Sequence, residues 1–217
     1  NTTTYSDGVP LANYGLYNYG PITAKFGVNL SINTAAYQAF MMTTTAQKNA
    51  IMRPLGLAKD TYTESESIGL NMSTLQQASA YQAIGNDGVH IEATTLDTIT
   101  VDGKPWVLPA QIKERAMSSR TSAEIINMMQ GVTAANGSEP FAAQPQWPNA
   151  FAAKSGLVGF DSTKTSEITA AHGDIMPASD AWMAATSTGV SVATWLGTPD
   201  LSGKTFIAGG GAQEANN

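Results

Sequence analysis

The chain has 217 residues and a net charge of −6, from 17 acidic and 11 basic residues, and 42% of it is hydrophobic. That is enough for one domain, or one large piece of a domain, with a core of its own. No Lys/Arg cluster is present to neutralise phosphates, which excludes nucleic acid as a partner. Zero cysteines exclude disulfides and thiolate chemistry, and two isolated histidines, His90 and His172, do not make a metal centre, so neither metal nor cofactor is expected.

The first twenty residues, rich in Tyr, Asn and Gly, read as loop. Pro21-Ile22-Thr23 opens a short helix with Thr23 as its N-cap. Helical runs follow over about Thr34–Met42 and Thr44–Arg53, the latter stopped by Pro54. Ser73-Thr-Leu-Gln76 is a capping box, and its helix sets Leu75, Ala78, Tyr81 and Ile84 near one face before Gly85-Asn-Asp-Gly88 ends it. Leu96–Val101 alternates, and Asp102-Gly103 is a two-residue hairpin signal returning through Trp106-Val107. Thr121-Ser-Ala-Glu124 is a second capping box, with Ile125, Met128, Met129 and Val132 at helical spacing behind it. Then the period changes: Ala150–Ala153, Ala181–Thr186 and Val190–Leu196 read as strands. Helices in the middle and antiparallel strands at one end predict an α+β domain. Its expected parts are a loop region 1–20, a mainly helical lobe 21–137 with a hairpin near 96–107, and a sheet portion 138–217.

Two short motifs carry chemistry. Lys154-Ser155-Gly156 closes an apolar strand and makes a good carboxylate receptor: the ammonium supplies field, the hydroxyl donates, and glycine admits close approach. Alone, the tripeptide fits a surface lysine at a strand end equally well. Ser31-Ile32-Asn33 lies between two helical runs, where Ser and Asn also serve as ordinary caps. Lys-Ser/Thr-Gly and Ser-x-Asn are two of the three motifs of the penicillin-recognising acyl-serine enzymes; the third, Ser-x-x-Lys, occurs nowhere among these residues.

The surroundings of both motifs resemble the transpeptidase domain of class A penicillin-binding proteins. The likeness covers Asn13-Tyr14-Gly15, Tyr19-Gly20-Pro21-Ile22-Thr23, Leu30–Ala36, Leu55-Gly56-Leu57, Ser67–Leu70, Leu75–Tyr81, Gly85–Val89, Met129–Val132, Asp180-Ala181-Trp182 and Val192–Gly197, in order. It implies a penicillin-binding/β-lactamase-like α+β fold, an antiparallel sheet packed with a helical lobe and incomplete at its N-terminal side. It also implies a D,D-transpeptidase of the bacterial cell envelope, acting on D-Ala-D-Ala stem peptides of peptidoglycan and acylated by β-lactams. Ser31 would join the proton network to the leaving group, and Asn33 would hold the substrate amide and the missing catalytic lysine. Lys154 would support proton transfer and attract the terminal carboxylate, Ser155 and Gly156 would bind it, and the Leu157 N–H would form half of the oxyanion hole.

Three departures accompany the likeness. The nucleophile is not in this chain, so the chain alone is expected to be inactive. Leu157 stands where the family usually has Thr, and the segment 157–179 is an insertion expected to form a loop over the cleft or a partner contact. A sheet without its early strands would expose an edge and a face. An upstream segment or second chain carrying Ser-x-x-Lys is therefore the expected partner, with any membrane anchor also outside the chain. The rival readings are a serine β-lactamase or D,D-carboxypeptidase, and a non-catalytic relative that binds cell-wall peptide or protein. Other features stay apart from the site: His90 and His172 read as structural, Asp97, Asp102 and Asp174 lack metal spacing, Met41, Met42, Met128 and Met129 read as core filler, and Tyr14, Tyr17 and Tyr19 read as a packed loop in preference to a stacking surface.

Overall fold

A computed structural model of the chain describes residues 3–14, 17–134, 136–138, 151–173, 177–199 and 201–208. Ala150, Asp174 and the tail beyond Ala208 lie outside the described residues. A small hairpin, β1 (Thr3–Thr4) with β2 (Pro10–Leu11), is tied to the helical lobe by Glu64. Its carboxylate accepts the Ser6 N–H at 2.8 Å and the Tyr37 hydroxyl at 3.2 Å. The hydrogen bonds from Ser6, ahead of the one from Tyr37, hold the Glu64 carboxyl below its ordinary range.

The helices begin where side chains can take up orphan N–H groups. α1 (Ala24–Asn29) is capped by Thr23, and α2 (Asn33–Met41) follows. α3 (Thr45–Met52) and α4 (Thr74–Gly85) open on full capping boxes, Thr44 with Gln47 and Ser73 with Gln76. β3 (Val89–Ile91) follows α4. The hairpin of β4 (Ile99–Val101) and β5 (Lys104–Trp106) turns on Asp102 and Gly103 at φ 50° and 75°, the left-handed pair that its sequence predicts. β6 (Lys113–Arg115) then pairs antiparallel with β3.

α5 (Ser119–Met129) starts a turn earlier than its Thr121–Glu124 box predicts: the Ser118 hydroxyl accepts the Thr121 N–H at 3.1 Å. One turn further in, Ser122 is buried and donates to the Ile84 carbonyl at 2.5 Å, which ties α5 to the end of α4. α4 also turns differently from its expected face. Leu75 is exposed and Ala83 is the fully buried residue, because the end of the helix, not its start, meets the sheet. Gly85 marks that contact: a Cβ there would lie 2.2 Å from Thr186 Oγ1 and 2.6 Å from the Ser187 carbonyl oxygen.

The sheet contains β7 (Ala152–Gly159), β8 (Pro177–Thr186), β9 (Ser191–Gly197) and β10 (Ile207–Ala208). β8 is central, with β7 along one side and β9 and β10 along the other, all antiparallel. Between β7 and β8, the 157–179 segment is not simply a loop. Leu157–Gly159 extend the strand, and α6 (Ser162–His172), capped by Asp161, packs on β8 with Ile168 buried.

Strand alternation gives the sheet two faces. One carries Ala152, Lys154 and Gly156 of β7 beside Thr186, Ala184 and Trp182 of β8, in direct register. Ala152, Ala184 and Thr186 are buried there. α4 packs on β8 and β9, and α5 packs on β7. The other face carries Ser155 and Leu157 beside Met183 and Ala181, then Val192 and Leu196 of β9. Leu157, Val192 and Leu196 are 57%, 51% and 62% exposed. Met129 and Val132 are core, as their spacing predicts, but Met41 and Met42 are exposed, Met42 at 84%, because they end α2 on its solvent side.

Candidate active site

The turn between α1 and α2 brings the first site residue into position. Ser31 donates its N–H to the Val28 carbonyl (3.2 Å), and Ile32 donates to the Gly27 carbonyl (2.8 Å). With Ser31 at φ 55°, this is a Schellman helix end in which the left-handed position, ordinarily glycine, holds serine. Ile32, the next residue, is buried. The backbone conformation costs about 1 kcal/mol against glycine, so the side chain must supply what glycine cannot. Its partner is Lys154: the ammonium donates to Ser31 Oγ at 2.7 Å and to the Ser155 carbonyl at 2.9 Å. These residues are 123 positions apart and meet half-buried between the helical lobe and the β7 edge.

The capping alternative for Ser31 and Asn33 does not hold. The N-cap of α2 is Ile32, without a side-chain cap bond. The Thr34 N–H is taken instead by Asn13 Oδ1 at 3.0 Å, which also accepts the Thr34 hydroxyl at 3.1 Å. Asn13 Nδ2 in turn donates to the Tyr17 carbonyl at 2.9 Å, and Asn33 Nδ2 to the Ala12 carbonyl at 2.9 Å. Residues 12, 13 and 17 are thereby fastened onto the turn that presents Ser31. Asn13 is buried, and its positioning part escaped the sequence reading because a single Asn in a Tyr/Gly loop carries no spacing signal.

Ser155, Gly156 and Leu157 line the same strand as Lys154, opposite Met183, Trp182 and Ala181. Ser155 and Leu157 share the open sheet face, while Lys154 turns to the helical side. Among the described residues no strand pairs with the outer edge of β7, which leaves alternate backbone groups facing outward. Beyond β7, Asp180 Oδ1 accepts Trp195 Nε1 at 2.8 Å and Asp180 Oδ2 accepts the Ser179 hydroxyl at 2.7 Å, locking β8 to β9.

The residues held out of the site sit elsewhere. His90 is hydrogen-bonded to Ser79 (2.7 Å) in the wall of a separate hollow of about 380 Å³, which shares no residue with Ser31 and Lys154. His172 ends α6 with its ring 5.1 Å from that of Phe206. Among the described residues no group of three His, Cys, Asp or Glu could hold a metal, and no helix is long and apolar enough to cross a membrane.

A family model described as the penicillin-binding protein transpeptidase domain matches residues 31–200, from the first site serine to just beyond β9. The chain belongs to that family. Penicillin-binding protein 1A/1B of Bacillus subtilis (strain 168) is 31% identical over 202 residues, which cover 89% of this chain and 21% of that protein. The chain thus spans about a fifth of the length of that curated relative. The D,D-transpeptidase domain of a peptidoglycan glycosyltransferase from Eggerthella lenta is 19% identical with a TM-score of 0.70, covering 99% of this chain and 56% of that one. Penicillin-binding protein 1A from Haemophilus influenzae gives 16% and 0.69, over 88% and 32%. At these identities the two structures support the fold: the α+β architecture, antiparallel sheet and helical lobe that the sequence predicts.

Proposed function

We propose that this chain forms one wall of a peptidoglycan D,D-transpeptidase site, at the outer side of the bacterial cytoplasmic membrane, with the nucleophilic serine supplied by polypeptide outside these residues. The observation that carries the reading is the Lys154 Nζ–Ser31 Oγ contact, because it joins two motifs that are weak separately. A lysine donating to a serine hydroxyl beside an open strand edge can relay a proton and attract a carboxylate.

In this reading the stem peptide lies along β7. Its terminal carboxylate is drawn to the Lys154 ammonium and takes a hydrogen bond from Ser155. The outside serine attacks the D-Ala-D-Ala carbonyl and releases its proton, which the Ser31 hydroxyl relays to the departing amine as the C–N bond breaks. An acceptor amine then attacks the acyl-serine ester, and its proton returns to the serine as the ester C–O bond breaks. Asn33 spends one amide N–H on Ala12 and retains a second for the substrate's amide carbonyl. Leu157 offers no hydroxyl, so carboxylate recognition rests on Lys154 and Ser155. The exposed apolar face of β7 and β9 supports a covering segment from outside the chain.

The test is fluorescent penicillin on the full-length protein. A stable covalent adduct is expected, formed roughly a hundredfold more slowly in Lys154→Ala and Ser31→Ala. Rapid turnover of the adduct would instead identify a β-lactamase, and the absence of any adduct would identify a non-catalytic relative.

A further inference from the structure

The loop that carries Asn13 does more than brace the turn at Ser31. Contrary to the packed loop expected of its tyrosines, Tyr17 is 65% and Tyr19 38% exposed. Their rings lie 6.3 Å apart, and Tyr19 meets the exposed Phe26 ring at 5.6 Å, edge to face. The three form a strip at the surface, and the loop beneath it is held in place. Asn13 grips the Tyr17 carbonyl with one end of its amide and the N-terminus of α2 with the other. Phe26 stands in the first turn of α1, whose N-cap Thr23 binds the Phe26 N–H.

Two observations select the occupant. From Gly8 to Ala24 the chain carries no charged side chain, while Asn and Tyr are frequent, and Lys25, beside Phe26, spends its ammonium on Asn127 Oδ1 of α5 at 2.8 Å. A surface of aromatic faces with phenol and amide groups, whose one neighbouring cation is bonded to Asn127, suits a neutral ligand having both apolar C–H faces and hydroxyls. It does not suit a lipid headgroup or an acidic or basic peptide. The strip is also continuous, through Asn13 and Thr34, with the turn holding Ser31. A ligand joined to a peptide at Ser31 and Lys154 can extend onto it.

We propose that Tyr17, Tyr19 and Phe26 form a carbohydrate-binding subsite that takes pyranose rings of the glycan strand to which the stem peptide is attached. The assignment rests on the functional reading above for the link between peptide and glycan. The strip itself is a stacking surface for uncharged sugar rings.

The experiment titrates the full-length protein with chitotetraose, a β-1,4-linked N-acetylglucosamine tetramer, and separately with a D-Ala-D-Ala-terminated pentapeptide. Two stacking rings predict that Tyr17→Ala/Tyr19→Ala weakens chitotetraose binding roughly tenfold at this site, with pentapeptide binding and penicillin acylation unchanged. Tyr17→Phe/Tyr19→Phe keeps the rings and should retain most of the affinity. In protein labelled with 3-fluorotyrosine, the Tyr17 and Tyr19 fluorine resonances should shift with chitotetraose and not with pentapeptide, a readout that needs no destabilising substitution and ignores sugar bound elsewhere. Resonances that stay unmoved by chitotetraose, or move with pentapeptide, overturn the proposal. Tyrosine-dependent sugar binding in a protein that penicillin does not acylate would retain the subsite and reject the transpeptidase reading.

Discussion

The two faces of the sheet are built from the same strands and are covered to different extents. On one, Ala152, Ala184 and Thr186 are buried under the helices, and small side chains let α4 and α5 come close. On the other, Ala153 is buried, but Leu157, Val192 and Leu196, all larger and more apolar, remain exposed. The first face also opens at its far end, where Val158 and Trp195 are 52% and 44% exposed. The difference teaches that the helical face is closed by shape where α4 and α5 cover it, with Gly85 against Thr186, whereas most of the opposite face retains apolar area that the described residues do not cover.

The sharpest way to break the contrast is at its closest contact. Gly85→Ala forces a Cβ into Thr186 and the Ser187 carbonyl, and should cost about 2–4 kcal/mol in urea unfolding. Alkali should attack the same helix. Burial, offset slightly by the Gln77 hydrogen bond, pushes the Tyr81 phenol up to about 12 from 10.0. The neutral phenol is therefore favoured by folding; this stability is intact below pH 10 and is lost as the pH climbs to 12, by about 2–3 kcal/mol in pH-dependent unfolding. Ser31→Gly tests the cost of the site. Relief of the left-handed serine should raise stability by up to about 1 kcal/mol, while loss of the Lys154 partner slows penicillin acylation. On the open face, Val192→Thr or Leu196→Thr should change the stability of the 217-residue chain by no more than about 0.5 kcal/mol. The same substitutions should cost more in the full-length protein if the proposed segment covers this face, and equal values in both would remove that support.

Much of the helical lobe was legible from local pattern. The Thr23, Thr44 and Ser73 caps act over three residues of chain, and Asp102-Gly103 needs only its own backbone angles, so sequence suffices for them. The start of α5 was not legible in this way: the Thr121–Glu124 pattern places it a turn late, and the Ser118 hydroxyl that caps it sits in a helix tied to α4 by the Ser122–Ile84 bond, which spans 38 residues. Met41 and Met42, expected in the core, are exposed for a related reason: hydropathy records what a side chain prefers, not which side of a helix finds a neighbour.

By itself, then, the sequence determined the family, the local starts of most helices, the hairpin and the identity of the residues offered to the site. Only the tertiary structure decided that Ser31 takes a glycine-like conformation, that its hydroxyl meets Lys154 and not the α2 N-terminus, that Asn13 fastens the loop beside them, and which sheet face stays open. Caps and turns are settled by neighbours along the chain. Contacts between residues 123 positions apart are settled by how helices and sheet pack, a competition among many partners that no short pattern encodes.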